Sequence, residues 1–182
     1  MTHEVISRKY DRTFDMLDAD GDQVLQEKDF IALAESIART AGLEPGSAKA
    51  RTLLAEWRRC WTVLLEHADA DGDGQISRTE FHQAMAGAYG DTTLLERNLR
   101  AGFEAEFAAI DSDDDGVATL QELEAFLRAW GMDADQAHAA VTRLDLDGNG
   151  RITRDEYLSA WTSFLLSEDS QDAGSTLFGP LT

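Results

Sequence analysis

Cysteine is almost missing: one thiol, Cys60, in 182 residues. A lone cysteine closes no intramolecular disulfide, and its neighbours Trp57, Arg58, Arg59 and Trp61 carry no metal-ligand spacing, so a buried structural thiol is expected. Proline is nearly as scarce. With only Pro45 and Pro180 to interrupt a chain rich in Ala, Leu, Glu and Arg, the fold should be all-α. Basic residues are few, 16 against 35 acids, leaving a formal charge of −19. Without clustered Lys and Arg there is little to hold phosphates, so nucleic acid is excluded as a partner and cations become the natural counterpart. No apolar run reaches bilayer length, and residues 1–10 lack the apolar stretch of a signal peptide. A cytoplasmic protein with no membrane span is the expectation.

What is present is a repeat. An Asp-x-Asp-rich element begins at Asp18, Asp69, Asp111 and Asp145, in one register with its flanks. Four residues before each start stand Phe14, Leu65, Phe107 and Val141, and one residue before stand Leu17, Ala68, Ile110 and Leu144, which is one face of an entering helix. One residue past each twelve-residue loop come Phe30, Phe81, Leu123 and Tyr157, followed three later by Leu33, Ala84, Phe126 and Ala160. Each unit reads helix, polar loop, helix. The eighth loop position is apolar in all four, as Leu25, Ile76, Ala118 and Ile152. Paired loops would meet there in two-residue β bridges whose side chains enter the core, with Ala118 the weakest contact.

Spacing suggests the pairs. Loops three and four start 34 residues apart, room for two helices and a short link, while the longer interval of 51 between loops one and two contains a break at 42–47 around Pro45. After that break a helix bearing Leu53, Leu54, Trp57, Trp61, Leu64 and Leu65 leads into loop two. The halves are expected to divide near Gly90, as residues 1–90 and 91–182.

The loops have the chemistry of a Ca²⁺ site. A hard cation takes six to eight oxygens, and a twelve-residue loop of the EF-hand kind supplies them from positions 1, 3, 5, 7, 9 and 12, using the backbone carbonyl at 7 and a long Glu at 12, with Gly at the sharp turn of position 6. Residues 69–80 offer Asp69, Asp71, Asp73, Gln75, Ser77 and Glu80 around Gly74. Residues 111–122 offer Asp111, Asp113, Asp115, Val117, Thr119 and Glu122 around Gly116. Residues 145–156 offer Asp145, Asp147, Asn149, Arg151, Thr153 and Glu156 around Gly150. The hydroxyls of Ser77, Thr119 and Thr153 would act directly or through a water. Loop one, residues 18–29, has Asp18, Asp20, Asp22, the carbonyl of Val24 and the side chain of Gln26, but departs twice: Gln23 replaces the turn glycine, and the shorter Asp29 replaces Glu. Both should weaken Ca²⁺ binding, and a tighter loop would let Mg²⁺ compete. Three or four Ca²⁺ ions are therefore expected. Fifteen of the 35 acids stand at these positions, so the acidity is concentrated where ions would sit.

Four such loops in unequal spacing, a first loop closed by Asp29, and the closing residues Leu177, Phe178, Gly179, Pro180 and Leu181 resemble the sarcoplasmic calcium-binding proteins and calerythrin. The resemblance spans nearly the whole chain. It implies two EF-hand pairs packed as one compact globule, a Ca²⁺ buffering or transporting role, occupancy of a first loop that ends in Asp, and an apolar tail, 174–182, folded back over the cleft that a sensor would offer to a target. A monomer is expected. The residues favour the same role. A sensor exposes a Met-rich groove, whereas this chain has four methionines, of which Met16, Met85 and Met132 are scattered, while Trp57, Trp61, Trp130 and Trp161 read as core. A sensor that shows an apolar surface to a protein target is the alternative. His3, His67, His82 and His138 form no constellation with Tyr or Trp for a chromophore, and no Ser, His and Asp arrangement or phosphate-binding glycine loop suggests an enzyme.

Overall fold

Short acidic turns interrupt sequence that otherwise favours helix, and helices end where those turns begin. The computed structural model describes residues 2–88, 92–145, 147–169 and 174–177. Helix α1 (Thr2–Leu17), strand β1 (Val24–Leu25) and helix α2 (Glu27–Thr40) form the first unit; α3 (Ala48–Ala68), β2 (Ile76–Ser77) and α4 (Arg78–Ala88) form the second. The third comprises α5 (Thr92–Ile110), β3 (Val117–Thr119) and α6 (Leu120–Ala129), and the fourth α7 (Ala134–Leu144), β4 (Arg151–Thr153) and α8 (Arg154–Leu166). A 3₁₀ turn, Gly174–Thr176, follows. The break expected at 42–47 separates α2 from α3. The boundary placed at Gly90 lies outside the described residues.

Loops pair as one with two and three with four. Strands β1 and β2 are antiparallel with Leu25 opposite Ile76, and β3 and β4 with Ala118 opposite Ile152. The second ladder is three residues long, one more than expected, because Thr119 also pairs with Arg151. All four eighth-position side chains are fully buried, as are the flanking Phe14, Phe81, Leu123 and Tyr157. Helix starts use side-chain caps. The Thr119 hydroxyl accepts the Glu122 N–H while the Glu122 carboxylate accepts the Thr119 N–H, and Thr153 with Glu156 repeats the arrangement. Positions 9 and 12 of a loop thus also cap the helix that leaves it, a signal written in the sequence as S/T-x-x-E.

The two pairs share one apolar core. Helix α3 packs along α5, α2 against α6, and α1 against α8. Helices α3 and α5 approach closely at Gly102, where a Cβ would lie 3.1 Å from the Cys60 sulfur. Cys60 is the buried thiol that its surroundings in the sequence suggested, and burial pushes its pKa up to about 12. A run of aromatic contacts crosses between the pairs: Phe30 to Trp57 at 5.8 Å, Trp57 to Trp130 at 5.6 Å, Trp130 to Trp161 at 5.5 Å, and Phe103 stacked on Trp161 at 4.2 Å. Such contacts add to the area they bury. Among the described residues no helix is long and apolar enough to cross a membrane.

Two ionisable side chains, Lys9 and Glu106, are fully buried in this core. The Lys9 ammonium donates to the Ser163 carbonyl at 3.2 Å, the Ser167 carbonyl at 2.5 Å and the Ser175 hydroxyl at 2.6 Å, binding α1 to the carbonyl end of α8 and to the final turn. A cation there also complements the negative end of the α8 dipole. The Glu106 carboxyl on α5 accepts the Tyr157 hydroxyl of α8 at 2.7 Å, and burial raises its pKa to about 8.

Candidate metal centres

Each loop begins with a carboxylate that organises its own turn. Asp69 accepts the N–H groups of Gly72 at 2.8 Å and Gly74 at 3.0 Å. Asp111 accepts those of Asp115 at 3.1 Å and Gly116 at 2.9 Å, Asp145 those of Asn149 at 3.0 Å and Gly150 at 2.8 Å, and Asp18 those of Asp22 at 3.1 Å and Gln23 at 3.0 Å. Gathering amide donors onto position 1 curls the loop and turns the carboxylates of positions 3 and 5 inward. One oxygen from each of Asp18, Asp20 and Asp22 lies within 4.8 Å of the others, and the same holds for Asp69, Asp71 and Asp73 and for Asp111, Asp113 and Asp115. With Ca²⁺–oxygen bonds of about 2.3–2.6 Å, ligands on opposite sides of an ion stand up to roughly 5 Å apart, so these spacings fit Ca²⁺. The donor set is all oxygen, as a hard cation requires. Loop four has Asn149 at position 5, so Asp145 and Asp147 are its only acids among the first five positions.

Position 12 distinguishes loop one from the rest. Glu80 spans its loop: one oxygen accepts the Ala70 N–H at 3.1 Å, and the other accepts both the N–H and the hydroxyl of Ser77 at 2.8 Å. Glu122 does the same, with Ser112 on one oxygen and Thr119 on the other at 2.9 Å. Glu156 accepts the N–H and hydroxyl of Thr153 at 2.8 Å. Among the described residues Asp29 reaches only the Gln26 N–H, at 2.8 Å. The missing methylene leaves it short of the loop's opening residues. Charge follows geometry. The Ser77 N–H and then its hydroxyl hold the Glu80 pKa below the usual carboxylate range. At Glu122 burial acts upward, but hydrogen bonds from Ser112 and Thr119 outweigh it and the pKa falls. Asp29 is buried with a single such donor, and its pKa rises.

The turn residues repeat the contrast. Gly74, Gly116 and Gly150 have φ of 80°, 85° and 77°, and Gln23 occupies the same left-handed region at 71°. A second left-handed position escaped sequence reading: position 4 is Gly21, Gly72 and Gly148 in three loops and Asp114, at φ 59°, in loop three. The recurrence of Gly at that position was the available signal, and Asp is among the few other residues that tolerate it. Lys49 of α3 supports Asp114 from the other half of the chain, with its ammonium 2.7 Å from the Asp114 carboxylate and 2.7 Å from the Asp111 carbonyl.

One expected donor also links the two loops of its pair. The Gln26 side chain, read as a ninth-position oxygen for loop one, donates its amide to the Gln75 side chain of loop two at 2.8 Å. Val24, Val117 and Arg151 stand within the strands at position 7, and Gln75 immediately precedes β2.

A family model described as an EF-hand domain pair matches residues 8–86, and another, described as an EF hand, matches residues 142–159. Loops one, two and four fall inside those segments, and loop three repeats their geometry. Calerythrin from Saccharopolyspora erythraea is 28% identical over 166 residues, covering 90% of this chain and 94% of its own length. The beta chain of the sarcoplasmic calcium-binding protein from Penaeus sp. is 28% identical over 179 residues, with 91% of each chain covered. Among solved structures, a Streptomyces coelicolor calcium-binding protein, described in terms of prokaryotic calcium-mediated regulation, superposes with a TM-score of 0.80 at 27% identity, covering 88% of this chain and 97% of that one.

Proposed function

Because this chain is an EF-hand calcium-binding protein of the calerythrin and sarcoplasmic calcium-binding protein type, we propose that it is a Ca²⁺ buffer rather than a switch. Its ligands would be Asp69, Asp71, Asp73, Ser77 and Glu80 in loop two, Asp111, Asp113, Asp115, Thr119 and Glu122 in loop three, and Asp145, Asp147, Asn149, Thr153 and Glu156 in loop four. The carbonyls of Gln75, Val117 and Arg151 would complete these sets. Asp18, Asp20, Asp22, Asp29 and the Val24 carbonyl would form a weaker fourth site, open to Mg²⁺.

The observation that carries the buffer reading is closure. The apolar surface that a sensor would show a target is already buried between the two EF-hand pairs, with Trp57, Trp130, Trp161 and Leu177 all buried. Met85 and Met132 are buried too, and Met16 packs against the core. The space left among Phe30, Trp57, Phe103, Trp130 and Trp161 is about 70 Å³, well below the few hundred Å³ of a pocket for a drug-sized ligand. A regulatory role is the second reading, favoured by the likeness to the Streptomyces protein.

Calorimetric titration with Ca²⁺, with and without Mg²⁺, together with hydrophobic-dye fluorescence, separates the two. The buffer reading expects three or four binding events and dye fluorescence that stays level or falls as Ca²⁺ is added. A rise in dye binding, with a protein target retained only in Ca²⁺, would establish the sensor instead.

A further inference from the structure

Loop one contains a cation of its own. The Lys28 ammonium lies 2.5 Å from Asp20 Oδ2 and 2.9 Å from Asp22 Oδ2. The other oxygen of each carboxylate is also engaged: Asp20 Oδ1 accepts the Asp22 N–H at 3.3 Å and Asp22 Oδ1 the Val24 N–H at 3.1 Å. Every oxygen of two candidate ligands is therefore already bound within the loop. In loop two, Asp71 and Asp73 use Oδ1 in the same amide bonds, at 3.2 and 2.8 Å, but no side-chain cation meets either carboxylate among the described residues.

The difference lies in position 11, which is Lys28 in loop one and Thr79, Gln121 and Asp155 in the others. Helix electrostatics does not account for a lysine there, since the first turn of α2 is the positive end of its dipole. The two carboxylates do account for it. Cations near the other loops point elsewhere or reach less far. Arg78 of loop two turns to Asp15 at 2.5 Å and lies over the Phe14 ring, Lys49 pairs with Asp114, which stands outside the ligand positions, and Arg151 reaches one carboxylate, Asp115, at 3.4 Å.

We propose that Lys28 is a tethered competitor for loop one: a divalent ion must displace its ammonium from Asp20 and Asp22, which sets this site's affinity below that of the other three. Lys28 is thus a specificity-determining residue, reserving loop one for high Ca²⁺ after loops two to four have filled. The inference rests on the reading of these loops as Ca²⁺ sites. Loss of one positive charge next to the ion should tighten the site about tenfold.

The test is calorimetric titration of the full chain with Ca²⁺ for the wild type, Lys28→Met and Lys28→Arg, combined with NMR of ¹³Cε-labelled lysine. The sequence has three lysines, Lys9, Lys28 and Lys49, so the Lys28 signal is identified by its loss in Lys28→Met. The weakest event should tighten about tenfold in Lys28→Met, stay within about threefold in Lys28→Arg, and coincide with movement of the Lys28 signal. A binding event that appears only in Lys28→Met supports the same role. Equal tightening of all events, a weakest event unchanged in Lys28→Met, no loop-one event in either protein, or a Lys28 signal that ignores Ca²⁺ overturns it while leaving the buffer reading intact. Absence of Ca²⁺ binding by loops two to four would instead remove the buffer reading, and the Lys28 role with it.

Discussion

Gln23 carries a Cβ at a turn position that is glycine in the other three loops. Its φ of 71° is held by the Gln23 N–H bond to Asp18, so the strain, about 1–2 kcal/mol, comes from the loop's own hydrogen bonds and falls on folding more than on ion binding. Gln23→Gly should raise the stability of the chelated protein by about 1 kcal/mol in urea unfolding, after allowance for the freer unfolded chain. An unchanged or lower midpoint would contradict this. Glu106 makes a pH prediction. Its carboxyl ionises near 4.5 in the unfolded chain but keeps its proton to about pH 8 in the core, so the native state binds the extra proton between those values. Its contribution to stability is fully present below about pH 4.5 and is lost as pH rises through 8. Glu106→Gln, neutral throughout, should gain on the wild type by a few kcal/mol from pH 4.5 to 8. Parallel stability curves across that range would show that Glu106 does not titrate in this way. At this scale the sequence showed the carboxylates of positions 1, 3, 5 and 12, because coordination fixes both their type and their spacing. It did not show Lys28 folding onto Asp20 and Asp22, Gln26 turning to Gln75, or Lys9 meeting Ser163, since these depend on rotamers and on contacts far apart in the chain.

Helices were legible because each loop begins and ends on a repeated apolar pattern, and Leu17, Ala68, Ile110 and Leu144 are all buried where that pattern put them. Pairing was legible from the apolar eighth position, while the third residue of the β3–β4 ladder was not, since it depends on twist between loops. The tail was only partly legible. Its Gly174 and Leu177 are buried, whereas Phe178 and Leu181 lie outside the described residues. Gly174 explains how the turn seats on α8: a Cβ there would lie 2.5 Å from Ser163 Cβ and 2.6 Å from the Ala160 carbonyl. The backbone can approach α8 this closely only without a side chain. Gly174→Ala should therefore lift the turn, withdraw Ser175 from Lys9 and expose Leu177, at a cost of about 1–3 kcal/mol. Increased dye binding and a lower melting temperature would confirm the seat, and a variant that melts and binds dye like the wild type would refute it.

For the molecule as a whole, two forces act in opposite directions. A charge of −19 pushes the carboxylate loops apart, and four Ca²⁺ ions would reduce it to −11, so chelation should destabilise the fold by linkage. The shared core resists, and it decides how that loss is expressed. If the EF-hand pairs were beads on a string, each would melt at its own temperature according to its own sites. They meet instead through α3 on α5 and through the Trp57 to Trp130 to Trp161 contacts, so neither pair can expose its apolar face without stripping the other. Damage on one side should then appear on both. Trp57→Ala removes a buried ring from the first pair at a cost of about 3–5 kcal/mol, yet the calorimetric trace should keep a single peak at a lower temperature, coincident with loss of helix by circular dichroism. Two separated peaks, with the second pair melting near the wild-type temperature, would show that the pairs fold independently and that burial of Trp57 against Trp130 does not couple them.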